Sequence, residues 1–395
     1  MATAAIMPAA DSVPRVRPLR RVRNDAIDWV RGLAMIVMAL DHTRDFVGPS
    51  VDLATAGPAL FFTRWITHFC APTFVLLAGT GAYLHGRRLP STRSLSRYLA
   101  TRGLWLIFLE VTVVRAGWLL YLGPDFLFLQ VIWAIGASMI VLAGLVWLPR
   151  SVLLAFVIIV IGGHDLFDGV AAESAGSMRW LWVLLHQGGR LTPFEGAQWY
   201  VAYPLIPWPA VMAAGYWLGP VMTRPQGERR AWLGRAGAAL VAGFIFLRAS
   251  HLYGDPHAWT PEGGLLHECL QFLNCAKYPP SLLYLAMTLG PALVLLAAMD
   301  RPLGRWEKNV SIFGRVPLFY YVLHLFLIHA IAIALAWPSL GSEAVAHPFF
   351  VQGGLGYSLP VVYGIWTAVV AILYPPCRWF AGVKSRSDAA WLSFL

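Results

Sequence analysis

The first apolar run of this sequence carries ionisable side chains near both of its ends. It reads DWVRGLAMIVMALDHTRDF over residues 28–46, with Arg31 near one end and Asp41, His42 and Asp45 near the other. Charged groups inside a bilayer are costly and commonly mark a functional pathway. At a rise of about 1.5 Å per residue, Arg31 and His42 would lie about 16 Å apart along a helix axis. The run therefore predicts one membrane helix with a cation near one surface and an imidazole near the other.

His42 and Asp45 are three residues apart, so they share one face of that helix. Asp45 could hold the imidazole in one tautomer and stabilise its charged form. A neutral imidazole can take a proton from an attacking amine or hydroxyl. His42 is therefore a candidate catalytic residue, able to accept a proton, and Asp45 is the candidate residue that orients it.

Two later apolar runs add further candidates. Residues 61–79 read FFTRWITHFCAPTFVLLAG and place Arg64 and His68 on one helical face, at a depth similar to that of His42. Residues 313–324 read FGRVPLFYYVLH and place His324 in mid-membrane. In a dry site, Arg64 or a tyrosine hydroxyl could stabilise a developing oxyanion. The predicted catalytic set is His42, Asp45, Arg64 and His324.

Each of these side chains also has a purely structural interpretation. Asp45 could extend to water, an Arg–Asp pair could lock two helices together, and a membrane histidine can hydrogen-bond a neighbouring helix. For His68 and His329 this interpretation is at least as strong as a functional one. Glu110 and Arg115 could form a structural ion pair.

The composition excludes an ordinary soluble domain. The chain of 395 residues is 58% hydrophobic and 13% charged, with a mean hydropathy of +0.61, whereas soluble chains carry roughly 25% charged residues. We predict an all-α polytopic membrane protein with about ten transmembrane helices. The predicted spans are 26–47, 59–85, 103–122, 126–148, 151–167, 200–222, 236–251, 278–299, 315–336 and 359–380.

The basic residues between these spans fall almost entirely on one side. That side holds twenty-two Lys and Arg, and the other holds three, which are Arg179, Arg190 and Lys277. The positive-inside rule then places both termini in the cytoplasm. We predict a disordered basic tail at 1–25, a single membrane domain at 26–382 and a short cytoplasmic tail at 383–395.

Other function classes lack support in the sequence. The net charge of +10 lies in short gaps between apolar runs, which sets membrane topology and does not build a nucleic-acid groove. Phosphate loops, G-x-S-x-G and H-E-x-x-H motifs are missing, and the His, Cys and acidic residues lack zinc-ligand spacing. Cys269 and Cys275 could pair as a disulfide or remain free thiols.

Four blocks together resemble a known family: the runs at 28–46, 63–79 and 313–324, and KYPPSLLYLAMTLGP at 277–291. They resemble a bacterial membrane family grouped with the catalytic domain of heparan-alpha-glucosaminide N-acetyltransferase. Arg31-Gly32-Leu33-Ala34 with His42 is also similar to the wider transmembrane acyltransferase superfamily. The resemblance implies ten or eleven helices around a pore, acetyl-CoA as the cytoplasmic donor and an acceptor on the other side. It implies that His42 is the functional histidine, either as an acylated intermediate or as a general base, and that Arg31 lies in the donor site.

The function predicted from these observations is a membrane acyltransferase in the inner membrane of a bacterium. It would move an acyl group, acetyl in the simplest case, from acyl-CoA to an extracytoplasmic glycan, sugar or lipid acceptor, without a metal and without a nucleic-acid partner. Its other partner is membrane lipid, and a homodimer is compatible with the sequence. The alternatives are a transporter or flippase for a sugar or lipid-linked envelope substrate, which broken helices also suit, and a structural factor of the envelope.

Overall fold

The computed structural model describes residues 24–50, 56–123, 125–260, 264–347, 349, 353–387, 389 and 392. Most of the predicted N-terminal tail therefore lies outside the described residues, and Asp25 is already the first residue of a helix. The helices are α1 Asp25–Val47, α2 Pro58–Thr67, α3 Cys70–Gly86, α4 Thr92–Leu109, α5 Arg115–Leu119, α6 Val131–Leu145, α7 Arg150–Gly163, α8 Arg179–Trp182, α9 Trp208–Leu218, α10 Gln226–Ser250, α11 Leu265–Leu273, α12 Leu282–Ala298, α13 Arg305–Arg315, α14 Pro317–Leu340 and α15 Leu359–Arg386. The strands are β1 Phe126–Leu129, β2 Gly189–Leu191 and β3 Gln198–Val201.

Helix α1 begins where its sequence provides a cap. The side chain of Asn24 accepts hydrogen bonds from the backbone N–H groups of Ala26 at 3.1 Å and Ile27 at 3.2 Å. Asp28 in the first turn and Arg44 in the last turn both complement the helix dipole. These local signals fix where α1 begins, and with it the position of every charged side chain that α1 carries.

The helices follow the apolar windows: each of the ten windows overlaps at least one helix, and some, such as those at 59–85 and 103–122, overlap two. Within the described part of the chain, five helical segments are long and apolar enough to cross a membrane: Pro58–Gly86, Arg150–Phe167, Gln226–Ser250, Pro317–Ala346 and Leu359–Arg386. Val131–Leu145 and Leu282–Ala298 are shorter apolar helices. The chain is thus a mostly helical protein built around hydrophobic segments.

A small sheet departs from the all-α prediction. β3 pairs in parallel with β1 and antiparallel with β2, giving the order β1-β3-β2. β1 occupies the first residues of the window predicted as a helix at 126–148, and β3 occupies the first residues of the window at 200–222. Pro207 precedes α9, and a proline at this position suits a helix start better than a helix interior.

The two ends of the bundle differ in charge. One end carries Arg31, Arg88, Arg102, Arg315 and Lys384, and we call it the basic face. The other end carries Asp41, Asp45 and Lys277, and we call it the opposite face. Helix α1 extends from one face to the other, so a site in the middle of α1 lies between the two faces.

Close helix crossings depend on glycines. A Cβ added to Gly215 on α9 would collide with the backbone carbonyl of Leu76 on α3, and one added to Gly79 would collide with the carbonyl of Met212. Backbone cannot move aside as the end of a side chain can. Glycine at both positions is therefore required for α3 and α9 to pack at this distance.

We expect Gly215→Ala to lower the stability of the protein by about 1–3 kcal/mol, because the new methyl group must push α9 away from α3. Gly243→Ala is the matched control on α10, where an added Cβ meets nothing within 4 Å. There the better helix propensity of alanine should leave stability equal or slightly raised. Thermal unfolding in detergent measures both, and equal melting temperatures would contradict the close-packing argument.

Candidate active site

Two buried histidines from distant parts of the chain meet inside the bundle. Nδ1 of His42 on α1 lies 2.7 Å from Nε2 of His324 on α14. The ring centroids lie 4.9 Å apart and the ring planes are 8° from parallel, so the two imidazoles meet edge to edge. Only 7% of His42 and 0% of His324 is exposed. The sequence predicted both residues as catalytic, and the structure brings them into direct contact.

The hydrogen bonds around His324 fix the tautomers of two neutral rings. Nδ1 of His324 lies 2.9 Å from the carbonyl oxygen of Tyr320, and a carbonyl can only accept. Nδ1 of His324 must therefore carry the proton, which leaves its Nε2 as an acceptor. It follows that Nδ1 of His42 donates to His324. The lone pair of His42 is then on Nε2, the nitrogen with no hydrogen-bond partner among the described residues.

Aromatic rings surround His42 on its other sides. Trp118 of α5 approaches edge-on with centroids 4.9 Å apart, and Tyr321 of α14 does so at 5.9 Å. Both aromatic residues are buried. Such a shell keeps water away from the imidazole and strengthens the electrostatic interactions made there. Sequence reasoning allowed for a tyrosine hydroxyl at the site but assigned Trp118 no role.

A π-helical turn at Glu110–Val114 leads into α5 and so positions Trp118. The Glu110 carboxylate accepts hydrogen bonds from the backbone N–H of Gln130 at 3.0 Å and of Trp133 at 3.1 Å, at the start of α6. Arg115 donates instead to the carbonyl of Phe126 at 2.9 Å. Glu110 and Arg115 therefore do not form the suggested ion pair with each other. Each instead connects α4–α5 to the segment that follows α5.

A cavity of about 450 Å³ opens at the basic face and extends towards His42. Its lining includes Met38, one turn before His42, and Tyr321, which also contacts the His42 ring. Five cationic side chains line the same cavity, and they are Arg31, Arg88, Arg102, Arg315 and Lys384. Arg31 donates to the carbonyl of Leu77 at 3.4 Å. The cavity therefore offers an anionic ligand several cations and a route towards His42.

The carboxylates of Asp41 and Asp45, near the C-terminal end of α1, form a separate cluster at the opposite face. Arg44 donates to Asp41 at 2.9 Å and to Asp45 at 2.6 Å, and Nζ of Lys277 lies 3.9 Å from Asp41. Burial alone would lower the pKa of Lys277, but Tyr278 and Asp41 raise it above its ordinary value. The lysine therefore stays charged beside Asp41.

Asp45 does not orient His42 in the structure. Its carboxylate is bonded to the neighbouring Arg44 guanidinium, and His42 is bonded to His324. A charged guanidinium is a stronger hydrogen-bond partner for a carboxylate than a neutral imidazole is. The predicted pairing of Asp45 with His42 was therefore wrong. His324, and not Asp45, is the residue bonded to the His42 ring.

Arg64 also belongs to the opposite-face cluster, where it interacts electrostatically with Asp41 and Asp45. The helix that carries it ends at Thr67 and a new one begins at Cys70, so His68 lies in the break. Both ring nitrogens of His68 are buried without a hydrogen-bond partner in the described part of the chain. His329 hydrogen-bonds the carbonyl of Gly117 at 2.9 Å, as an interhelical histidine would.

Three basic residues of the two clusters were not assigned a role from the sequence. Lys277 had a usable signal, because it is one of only three basic residues outside the spans on its side of the predicted topology. Arg88 and Arg102 had none, since they are two of many arginines in basic gaps. Among the described residues, no three His, Cys, Asp or Glu side chains are placed to hold a metal ion, and all four cysteines are free thiols.

Comparison with known proteins gives one result for this arrangement. A family model described as heparan-alpha-glucosaminide N-acetyltransferase, catalytic, matches residues 23–252. The matched region is more than half of the chain and includes α1 with Arg31 and His42, although His324 lies beyond it. No curated protein matches the chain.

Proposed function

The chain belongs to the family of the heparan-alpha-glucosaminide N-acetyltransferase catalytic domain, and from that premise we propose a membrane acyltransferase. It takes an acyl group from acyl-CoA at the basic face and gives it to a glycan, sugar or lipid acceptor at the opposite face. The observation that carries the proposal is the 2.7 Å contact between His42 and His324 beside the inner end of the basic cavity.

We propose that the basic face is cytoplasmic and that the protein crosses a bacterial inner membrane about ten times with both termini inside. The charge asymmetry of twenty-two basic residues against three supports this orientation. CoA carries several phosphates, and the cations of the cavity would attract them from the cytoplasm. Acyl-CoA would then enter from the side on which it is made.

The chemistry requires a base at the thioester carbonyl. The amine or hydroxyl of the acceptor attacks that carbonyl, a C–N or C–O bond forms and the C–S bond breaks. Nε2 of His42 takes the proton of the acceptor and passes it to the leaving thiolate. Tyr321 borders both the cavity and the His42 ring, so it replaces Arg64 as our candidate donor to the oxyanion.

Calorimetric binding of acetyl-CoA to the purified protein tests the donor site. We expect saturable binding that weakens about 10- to 100-fold in Arg31→Ala, because a charged hydrogen-bond donor is lost from the cavity. Arg150→Ala is the matched control, since Arg150 lies on α7 outside the cavity and donates to the carbonyl of Trp217 at 3.0 Å. Its affinity should equal that of the wild type.

Failure of folded wild-type protein to bind acetyl-CoA at any concentration would contradict the proposal. The transporter or flippase would then be the better account of a polar site between two faces. Equal weakening by Arg31→Ala and Arg150→Ala would instead mean that general surface charge, and not the cavity, attracts the donor.

A further inference from the structure

His68 is a buried histidine whose ring makes no hydrogen bond within the described part of the chain. Only 1% of the residue is exposed, yet Nδ1 and Nε2 both lack a partner among the described residues. His164 is buried to a similar degree, but its ring nitrogens lie 3.0 Å from the carbonyl of Ile161 and 2.8 Å from that of Pro280. A buried polar group without a partner costs free energy, so its presence calls for a functional reason. His68 is therefore a candidate ligand-binding residue.

The backbone around His68 fixes the position of the ring. His68 lies in the break between α2 and α3, where its N–H donates to the carbonyl of Trp65 at 3.0 Å. The hydroxyl of Tyr284 on α12 donates to the His68 carbonyl at 2.8 Å. The Tyr284 ring also packs beside the imidazole, with the ring centroids 5.6 Å apart. The main chain of His68 is thus bonded on both sides, and its side chain keeps one donor and one acceptor for a ligand.

The same two charged groups act on His68 and on His42. Lys277 and Asp41 interact electrostatically with both imidazoles. Nζ of Lys277 lies 3.9 Å from the carboxylate of Asp41, and Asp41 directly precedes His42 on α1. Both groups belong to the opposite-face cluster, which is the side from which the proposed acceptor arrives. His68 therefore shares the surroundings of His42 on the acceptor side and not on the donor side.

We infer that His68 binds the acceptor through a hydroxyl that lies beside the group attacking the thioester. This inference rests on the proposed function and adds an acceptor-binding residue to it. A neutral imidazole offers one N–H and one lone pair, and a hydroxyl both donates and accepts, so the two groups match. A hydrocarbon group at this position would leave both nitrogens of His68 without partners. The acceptor is therefore polyhydroxylated around its reacting group, and His68 selects it while His42 takes its proton.

The first experiment needs no acceptor and compares melting temperatures of the whole protein in detergent. His68→Leu removes two buried nitrogens that have no partners, so the melting temperature should rise by about 2–4 °C. His164→Leu is the matched control, because the ring of His164 is also buried but is hydrogen-bonded, and this variant should melt lower than the wild type. A lower melting temperature in His68→Leu would show that the ring supports the fold, and it would overturn the inference.

The second experiment measures transfer from acetyl-CoA to two probe amines, glucosamine and cyclohexylamine. Both carry an amine on a six-membered ring, but only glucosamine has hydroxyls beside it. His68→Leu should raise the KM for glucosamine about 5- to 100-fold and leave that for cyclohexylamine unchanged. The KM for acetyl-CoA should stay constant, because His68 is not among the described residues that line the basic cavity. His68→Gln keeps a donor and an acceptor and should recover most of the affinity for glucosamine.

The outcomes separate this inference from the proposed function. If the wild type and His68→Leu have the same KM for glucosamine, the inference is wrong and the acyltransferase stands. If His68→Leu weakens both amines equally, the hydroxyl is not what His68 binds and the inference also fails. If folded wild-type protein does not bind acetyl-CoA, the proposed function and the acceptor role of His68 are both wrong, whatever the melting temperatures show.

Discussion

His42→Ala is expected to lower acyl transfer by a factor of about 10² to 10⁴, the usual contribution of a positioned general base. The variant removes Nε2, the nitrogen that the hydrogen-bond pattern leaves as the basic atom of the pair. Acetyl-CoA binding should stay within a few-fold of the wild type, because His42 is not among the described residues that line the cavity with the five cations. Initial rates with a screened acceptor, beside calorimetry, measure the two quantities separately.

His329→Ala is the matched control for this change. His329 is also buried, and it makes one hydrogen bond to the carbonyl of Gly117. Any activity that His329→Ala loses should be accounted for by a smaller amount of folded protein. Added imidazole should restore part of the activity of His42→Ala and none of that of His329→Ala. Full transfer activity in His42→Ala would show that the mechanism as drawn is wrong.

The helices were predictable because apolar length is a property of consecutive residues. A window of about twenty hydrophobic residues predicts a helix without knowledge of its neighbours. The same averaging hid the strands: β1 lies inside one apolar window and β3 overlaps the start of another, and a long window cannot resolve strands of four residues. Pro204, Pro207 and Pro209 are a sequence signal for a break in the window at 200–222, although the strand before them has no signal of its own.

The partner of His42 was not predictable. His324 is 282 residues away in sequence, and nothing in one sequence says which helices are neighbours in space. Helical spacing predicted that Asp45 and His42 share a side of α1, but sharing a face does not decide which of two bonds forms. Arg44 lies next to Asp45 and carries a full charge, so the carboxylate pairs with it. Helical periodicity left the partner of Asp45 undecided, and the stronger bond of a carboxylate with a charged group decides it in favour of Arg44.

The orienting role of His324 can be separated from a merely structural one by two substitutions. His324→Gln can place Oε1 near the position of Nε2, where it still accepts the Nδ1–H of His42. His324→Leu removes the acceptor and leaves a buried N–H without a partner, which costs about 1–3 kcal/mol. We expect the turnover number to fall about 5- to 100-fold in His324→Leu and to recover substantially in His324→Gln.

The nitrogen that carries the proton provides the decisive measurement. In the wild type, ¹⁵N NMR of labelled histidine should find His42 protonated at Nδ1, because His324 can only accept there. In His324→Leu the two tautomers should mix, whereas His324→Gln should retain the Nδ1–H form. The KM for acyl-CoA should stay constant in both variants, since His324 is enclosed behind His42 and Tyr320. Equal turnover in the two variants, with one tautomer in both, would mean that His324 only fills space and that the geometry of α1 alone orients His42.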